Sequence, residues 1–297
     1  MTASIPFYLV DVFADAPFTG NPLALVVDAE HIKEPVMRAV AREFNQSETT
    51  FLLPPTRAGA TWRLRSFTPA GAEVFGVGHN ALGAWWWLAT AGRLALGNDG
   101  GRFAQEIGAR VLPVEVIAED GRPLGILMDQ APPEFGNIVE DRAALAAALG
   151  LAGEDLAEHA PAQVVSTGAA HLLVPARDRG VVDRARPEAP HLAAALQSVG
   201  GQGCYLYCLD TVDADTVAHA RFFNPTVGIW EDPATGSAAG PLVSQLVRQG
   251  VVPDGSTVLV EQGHAMGRPS RIQVQVAGHR VRIGGAAVVV AEGTLRI

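Results

Sequence analysis

Three short segments of the 297-residue chain carry side chains able to move protons or hold an anion. In NQSETTFLL (45–53) one carboxylate, Glu48, stands where a helical pattern gives way to a strand pattern. A carboxyl group facing a partly apolar pocket has its pKa lifted toward neutrality and becomes a general base or acid. Residue type alone also allows an exposed loop glutamate. In GHNALGAWWWL (78–88) Gly78 permits close backbone approach, and the residues after it open a helix. A helix start offers N–H groups and partial positive charge to a carboxylate or phosphate. His79 at that end reads either as a ligand or proton-relay group or as a buried histidine ahead of a Trp-rich core helix. In EDPATGSAAGPL (231–242) Asp232 precedes a second helix start, where Thr235 and Ser237 are good capping types and Gly236 allows a tight approach. Asp232 reads as a cap or as an acid/base group. The stretch lacks the lysine of a GxxxxGK[ST] phosphate loop, so it does not point to a nucleotide.

The elements that must position these groups are mostly strands. Apolar and β-branched runs occur at 7–14, 22–29, 49–55, 61–67, 111–119, 123–130, 162–168, 171–176, 204–210, 257–263, 271–278 and 286–297, separated by Gly/Pro/Asp turn signals. Helical spacing is clearest over 34–44, where Val36, Met37, Val40, Ala41 and Phe44 share a face. Further helices are expected near 80–91, 141–149, 188–199 and 238–249. Many short strands around few helices predict an α+β fold. No Gly/Ser-rich linker is present, and a domain crossover is expected near Glu119–Arg122.

An internal echo organises the chain. Arg65-Ser66-Phe67-Thr68-Pro69 leads to Gly78 and a small-residue helix start, and Arg221-Phe222-Phe223-Asn224-Pro225 leads likewise to Gly236. A duplicated half, with two domains of like topology and one site between them, would produce this pattern.

Composition narrows the function classes. The net charge of −9 repels nucleic acid and anionic lipid, and lysine appears once, at Lys33. The N-terminus has no basic region ahead of its apolar residues, and the apolar run 81–91 is far short of the ~20 residues of a membrane span. A cytoplasmic protein is expected. Cys204 and Cys208 lie four residues apart on an expected strand, about 13 Å, too far for a disulfide or a shared metal. No HExxH, CxxC, GxGxxG or GxSxG occurs, so no metal, dinucleotide or α/β-hydrolase site is expected.

Together, NQSETTFLL, FTPAGAEVFGVGHNALG, FFNPTVGIWEDPATGSAAGPL and EQGHAMGRPSRI follow the order and spacing of the PhzF-like family of phenazine-biosynthesis isomerases, and DVFADAPFTGNPLALV resembles its N-terminus. The resemblance runs from about Tyr8 to Ile297. It implies a diaminopimelate-epimerase-like fold of two pseudosymmetric domains, each a curved sheet around a central helix. The first domain would comprise 1–118 plus 284–297 and the second 119–283. It also implies Glu48, Asp232 and His79 as catalytic residues. Ser237, Gly78 and Gly236 would be substrate-binding, and Asn80 and Thr235 beside them are expected to be so too. The best-known activity of the family moves a proton from C3 to C1 of trans-2,3-dihydro-3-hydroxyanthranilate without a cofactor. A small carboxylated substrate and a homodimer are therefore expected; an epimerase of a small acid, or a binding protein without turnover, is the alternative. Two departures touch the pocket wall: Gly76 stands where the family often has an aromatic residue, and Asn80 follows the histidine in place of Pro or Ala. The paired cysteines of related racemases are absent from the two helix starts, which disfavours two-thiol chemistry.

Overall fold

The computed structural model describes residues 4–76, 78–158 and 160–297. The chain divides into two compact units, Met1–Met128 with Gly284–Ile297, and Asp129–Ile283. The expected crossover at 119–122 is instead a hairpin turn inside the first unit. Asp120 and Gly121 both have positive φ (51° and 76°), and Glu119 pairs with Arg122. This is the Asp-Gly geometry of a type I′ turn, which returns the chain antiparallel to itself.

The first unit runs β1 (Ser4–Val12), β2 (Asn21–Val26), α1 (Glu34–Phe44), β3 (Thr49–Leu53), β4 (Trp62–Phe67), β5 (Glu73–Val74), α2 (His79–Thr90), β6 (Gly100–Ile107), β7 (Arg110–Glu119) and β8 (Arg122–Gln130). β1–β2 and β3–β4 are antiparallel; β2–β3 and β4–β6 are parallel, each joined across a helix. Helix α1 covers one face: Met37, Val40 and Ala41 pack with Val26, Phe51 and Phe67. Helix α2 is buried on nearly every side, as its continuous apolar sequence requires. Gly83 makes that possible, because a Cβ there would stand 2.7 Å from both Leu23 and Val12 side chains.

The second unit adds β9 (Glu134–Ile138), α3 (Arg142–Ala148), β10 (Gln163–Ser166), β11 (Ala170–Pro175), α4 (Arg179–Arg184), α5 (Ala189–Val199), β12 (Gly203–Cys208), β13 (Thr216–Asn224), β14 (Ile229–Asp232), α6 (Gly236–Arg248), β15 (Thr257–Gln262), β16 (Ser270–Ala277) and β17 (Arg280–Gly285). The final strand, β18 (Ala287–Arg296), returns to pair antiparallel with β1. The pairings repeat those of the first unit: β10–β11 and β12–β13 are antiparallel, β11–β12 and β13–β15 parallel across helices. The sequence echo thus marks matching places, β4–β5–α2 and β13–β14–α6. Cys204 and Cys208 are buried free thiols in β12, and burial pushes both up to about 12. Among the described residues no helix is long and apolar enough to cross a membrane.

Candidate active site

Helix α1 ends where Asn45 turns into the left-handed region (φ 51°), and three residues later Glu48 stands immediately before β3. The β3 strand is buried throughout, so its leading carboxylate is drawn from solvent. The Glu48 side chain is only 18 % exposed, and burial raises its pKa from 4.5 to about 7. Its Oε2 lies 3.1 Å from Nε2 of His79, the first residue of α2 and itself buried. At that separation the two form an ion pair when His79 is protonated and Glu48 ionised, and near neutrality burial leaves Glu48 populated in both forms.

Asn80 braces the helix start. Its Oδ1 accepts from Gly78 N–H at 3.0 Å, and its Nδ2 donates to Ser66 Oγ at 3.1 Å and to the Gly76 carbonyl. Ser66 in turn is 2.8 Å from the Thr50 hydroxyl. Asn80 therefore ties the glycine loop to β3 and β4, a load that Pro or Ala could not carry.

In the second unit the α6 start is built differently. The Thr235 hydroxyl donates to Asp232 Oδ2 at 2.5 Å, so Asp232 holds the turn ahead of the helix. Gln262 is the centre: its Oε1 accepts from Thr235 N–H and the Tyr205 hydroxyl, and its Nε2 donates to the Asp232 carbonyl and Thr235 Oγ1. Gln130 donates to the Gly236 carbonyl. Ser237 Oγ lies 3.1 Å from Nε2 of His171 in β11. Burial drives His171 down to about 4, so its ring is neutral at physiological pH.

The structure brings Glu48, His79, Gly78 and Asn80 together in the first unit, and Asp232, Thr235, Gly236 and Ser237 in the second. His171 and Gln262 were missed by motif reading because strand pairing, not local spacing, delivers them. The same holds for a second cluster. His219, Glu261 and His264 bring one ligand-type atom each to within 4.8 Å of one another, although no metal-ligand spacing exists in the sequence.

These units have the diaminopimelate-epimerase-like α+β fold. A hydroxyproline epimerase structure from Agrobacterium vitis shares it at TM-score 0.63 and 11 % identity, covering 99 % of this chain and 93 % of that one. The chain belongs to the phenazine biosynthesis-like (PhzC–PhzF) family, whose model matches residues 10–293, and is an isomerase of that family. It is 35 % identical to an uncharacterized isomerase of Mesorhizobium japonicum, over 98 % of both chains. It is 32 % identical to the trans-2,3-dihydro-3-hydroxyanthranilate isomerase of Pseudomonas aeruginosa, over 97 % of this chain and 98 % of that one. A PhzF-family structure from Bacillus anthracis superimposes with TM-score 0.90 at 28 % identity, covering 99 % and 100 % of the two chains.

Proposed function

We propose that this isomerase shifts a proton on a small carboxylated substrate by acid–base catalysis, with Glu48 as the base and no cofactor. The observation that carries the proposal is the Glu48–His79 pair: a buried carboxyl poised at about 7 with an imidazole 3.1 Å away. A base works best when its pKa lies near the working pH. Glu48 takes a proton from one carbon and, as the acid so formed, returns it to another, so no net proton or electron is exchanged. His79 polarises the carboxyl and relays the proton. Gly78 and Asn80 shape a helix start suited to the substrate carboxylate. In the second unit we assign Asp232 an acid–base role and Thr235, Gly236 and Ser237 contacts to bound ligand.

The substrate class follows the Pseudomonas aeruginosa relative, and trans-2,3-dihydro-3-hydroxyanthranilate is the first compound to try, which would place the chain in phenazine biosynthesis. The test is proton NMR in D₂O with that compound. Isomerised product should form with the wild type, and at least about 100-fold more slowly with Glu48→Gln. No turnover by folded wild-type protein rejects this substrate, undiminished turnover by Glu48→Gln rejects the base, and a product differing only in configuration makes the enzyme an epimerase. We further propose a homodimer, for which a monomeric mass by light scattering is the contrary result.

A further inference from the structure

The parallel pairs β4–β6 and β13–β15 each bury one glutamate at the same place. Glu106 accepts from the backbone N–H groups of Thr56 and Arg57 and from the Thr56 hydroxyl. Glu261 accepts from the N–H groups of Val212 and Asp213 and from the Thr216 hydroxyl. Both carboxylates thereby fasten the turn that precedes the neighbouring strand. What stands opposite differs. In the first unit it is a guanidinium, with Arg63 Nε 3.5 Å from Glu106 and the two residues in register. In the second it is an imidazole, with His219 Nδ1 2.7 Å from Glu261, again in register.

That exchange changes the chemistry available. Arginine has donors only, whereas an imidazole that spends Nδ1–H on a carboxylate turns a well-aimed Nε2 outward. Metal-binding histidines are oriented by such an outer carboxylate. His219 Nε2 lies 3.2 Å from Asp183 Oδ1, a hydrogen bond when that nitrogen carries a proton and the spacing of two ligands on one ion when it does not. Two donors on a tetrahedral ion with bonds of ~2.0–2.1 Å stand about 3.3 Å apart. The ring of His264 is 5.1 Å from that of His219, centroid to centroid, and its Nδ1 is buried without a hydrogen-bond partner. Asp183 and His264 both line a cavity of about 370 Å³, large enough for a water on the remaining position. Arg221, in the same wall, does not compete for the carboxylates at the site. Its Nε and Nη2 are held by Glu231 and its Nη1 by the carbonyls of Val182, Asp183 and Ala185.

We propose that His219, His264 and Asp183 form a divalent-cation site of the zinc type in the second unit, with Glu261 as the outer group that aims His219. Three nitrogen and oxygen ligands with an open fourth position suit zinc or cobalt and not calcium or magnesium, which take oxygen donors.

The test uses the full chain, stripped with chelator and dialysed. It is titrated with Co²⁺ alone, read by visible absorption, and with Zn²⁺ alone, read by calorimetry and melting temperature. The expected result is one equivalent bound, the intense visible bands of low-coordinate cobalt, and a melting temperature raised by Zn²⁺. His264→Ala and Asp183→Ala should each weaken binding by at least about 10-fold, the lower limit seen even for outer-sphere changes. Both are at or near the surface, so their stripped forms should melt close to the wild type. His191→Ala, which removes an exposed His–Glu pair, serves as the control and should bind normally. The proposal is overturned if Co²⁺ shows no saturable binding, if binding survives in both His264→Ala and Asp183→Ala, or if it is lost only in His191→Ala.

Discussion

In the first unit Arg65 grips Glu73 through two bonds of 2.7 Å and lies 5.0 Å from the Phe67 ring. In the second, Arg221 grips Glu231 through two bonds of 2.8 Å and lies 4.8 Å from the Phe223 ring. The Arg-x-Phe repeat is thus a structural device: a planar fork clamps the short strand ahead of each helix start while stacking on its own strand. The chemistry diverges only past the clamp. The first copy leads to a strained-for-charge carboxyl beside a histidine, and the second to a hydrogen-bonded web around Gln262. One backbone plan has been given two jobs by changing which polar groups are left without full solvation.

The largest effect that would separate the copies is on rate. Glu48→Gln should lower proton transfer by ~10²–10⁴ while the fold survives, since glutamine keeps the shape and cannot accept the proton. Asp232→Asn and His79→Ala should lose less, and Ser237→Ala least. Solvent-deuterium incorporation, measured beside a melting curve for each variant, gives the order; Asp232→Asn exceeding Glu48→Gln would move the base to the second unit.

The clamps should differ in stability. Arg221 and Glu231 side chains are 5 % and 9 % exposed, so Arg221→Ala strands a buried carboxylate and should cost about 3–5 kcal/mol in urea unfolding. Arg65 and Glu73 are 15 % and 19 % exposed, and Arg65→Ala should cost less, on the order of 1–2 kcal/mol. Equal losses would mean that depth of burial does not distinguish the copies.

The Glu48 carboxyl also couples to stability. Its folded pKa of about 7 exceeds the ordinary 4.5, so the native state holds the extra proton between these values. Stability from this group is therefore lost as pH rises through that window. Glu48→Gln should be neutral near pH 4 and stabilising by about 3 kcal/mol at pH 8. A stability difference independent of pH would contradict the burial argument.

The smallest effect concerns the second copy. His171→Phe removes the partner of Ser237 and should cost about 1 kcal/mol of ligand binding, whereas His171→Gln, which keeps an N–H, should restore most of it. A neutral His171 also contributes no limb to a pH profile above about 5.

Much of this was legible from residues alone. The helix over 34–44 and the buried strand after Glu48 follow from apolar spacing, and the repeat around Pro69 and Pro225 announced the doubled topology. Strands β6 and β13 were not, because they bury charged and polar groups: Gln105 and Glu106 in one, His219 and Arg221 in the other. Alternation fails where buried polar residues are satisfied by partners far along the chain. The Asp120–Gly121 turn was visible but misassigned, since a turn signal does not say whether the chain returns to the same sheet or leaves it. Glu48 and His79 could be suspected from their motifs, but their 3.1 Å separation comes from packing α2 against β3, which no local spacing encodes.

The proposed proton shift requires Glu48 to be a carboxyl held near neutrality by burial. Carbon-detected NMR of protein labelled at the glutamate δ-carbon, titrated from pH 3 to 9 for wild type and Glu48→Gln, reads it directly. One resonance should titrate at about 7 in the wild type and be missing from the variant. If the resonance missing from the variant titrates near 4.5, Glu48 is an ordinary solvated carboxylate and the proposed base is wrong.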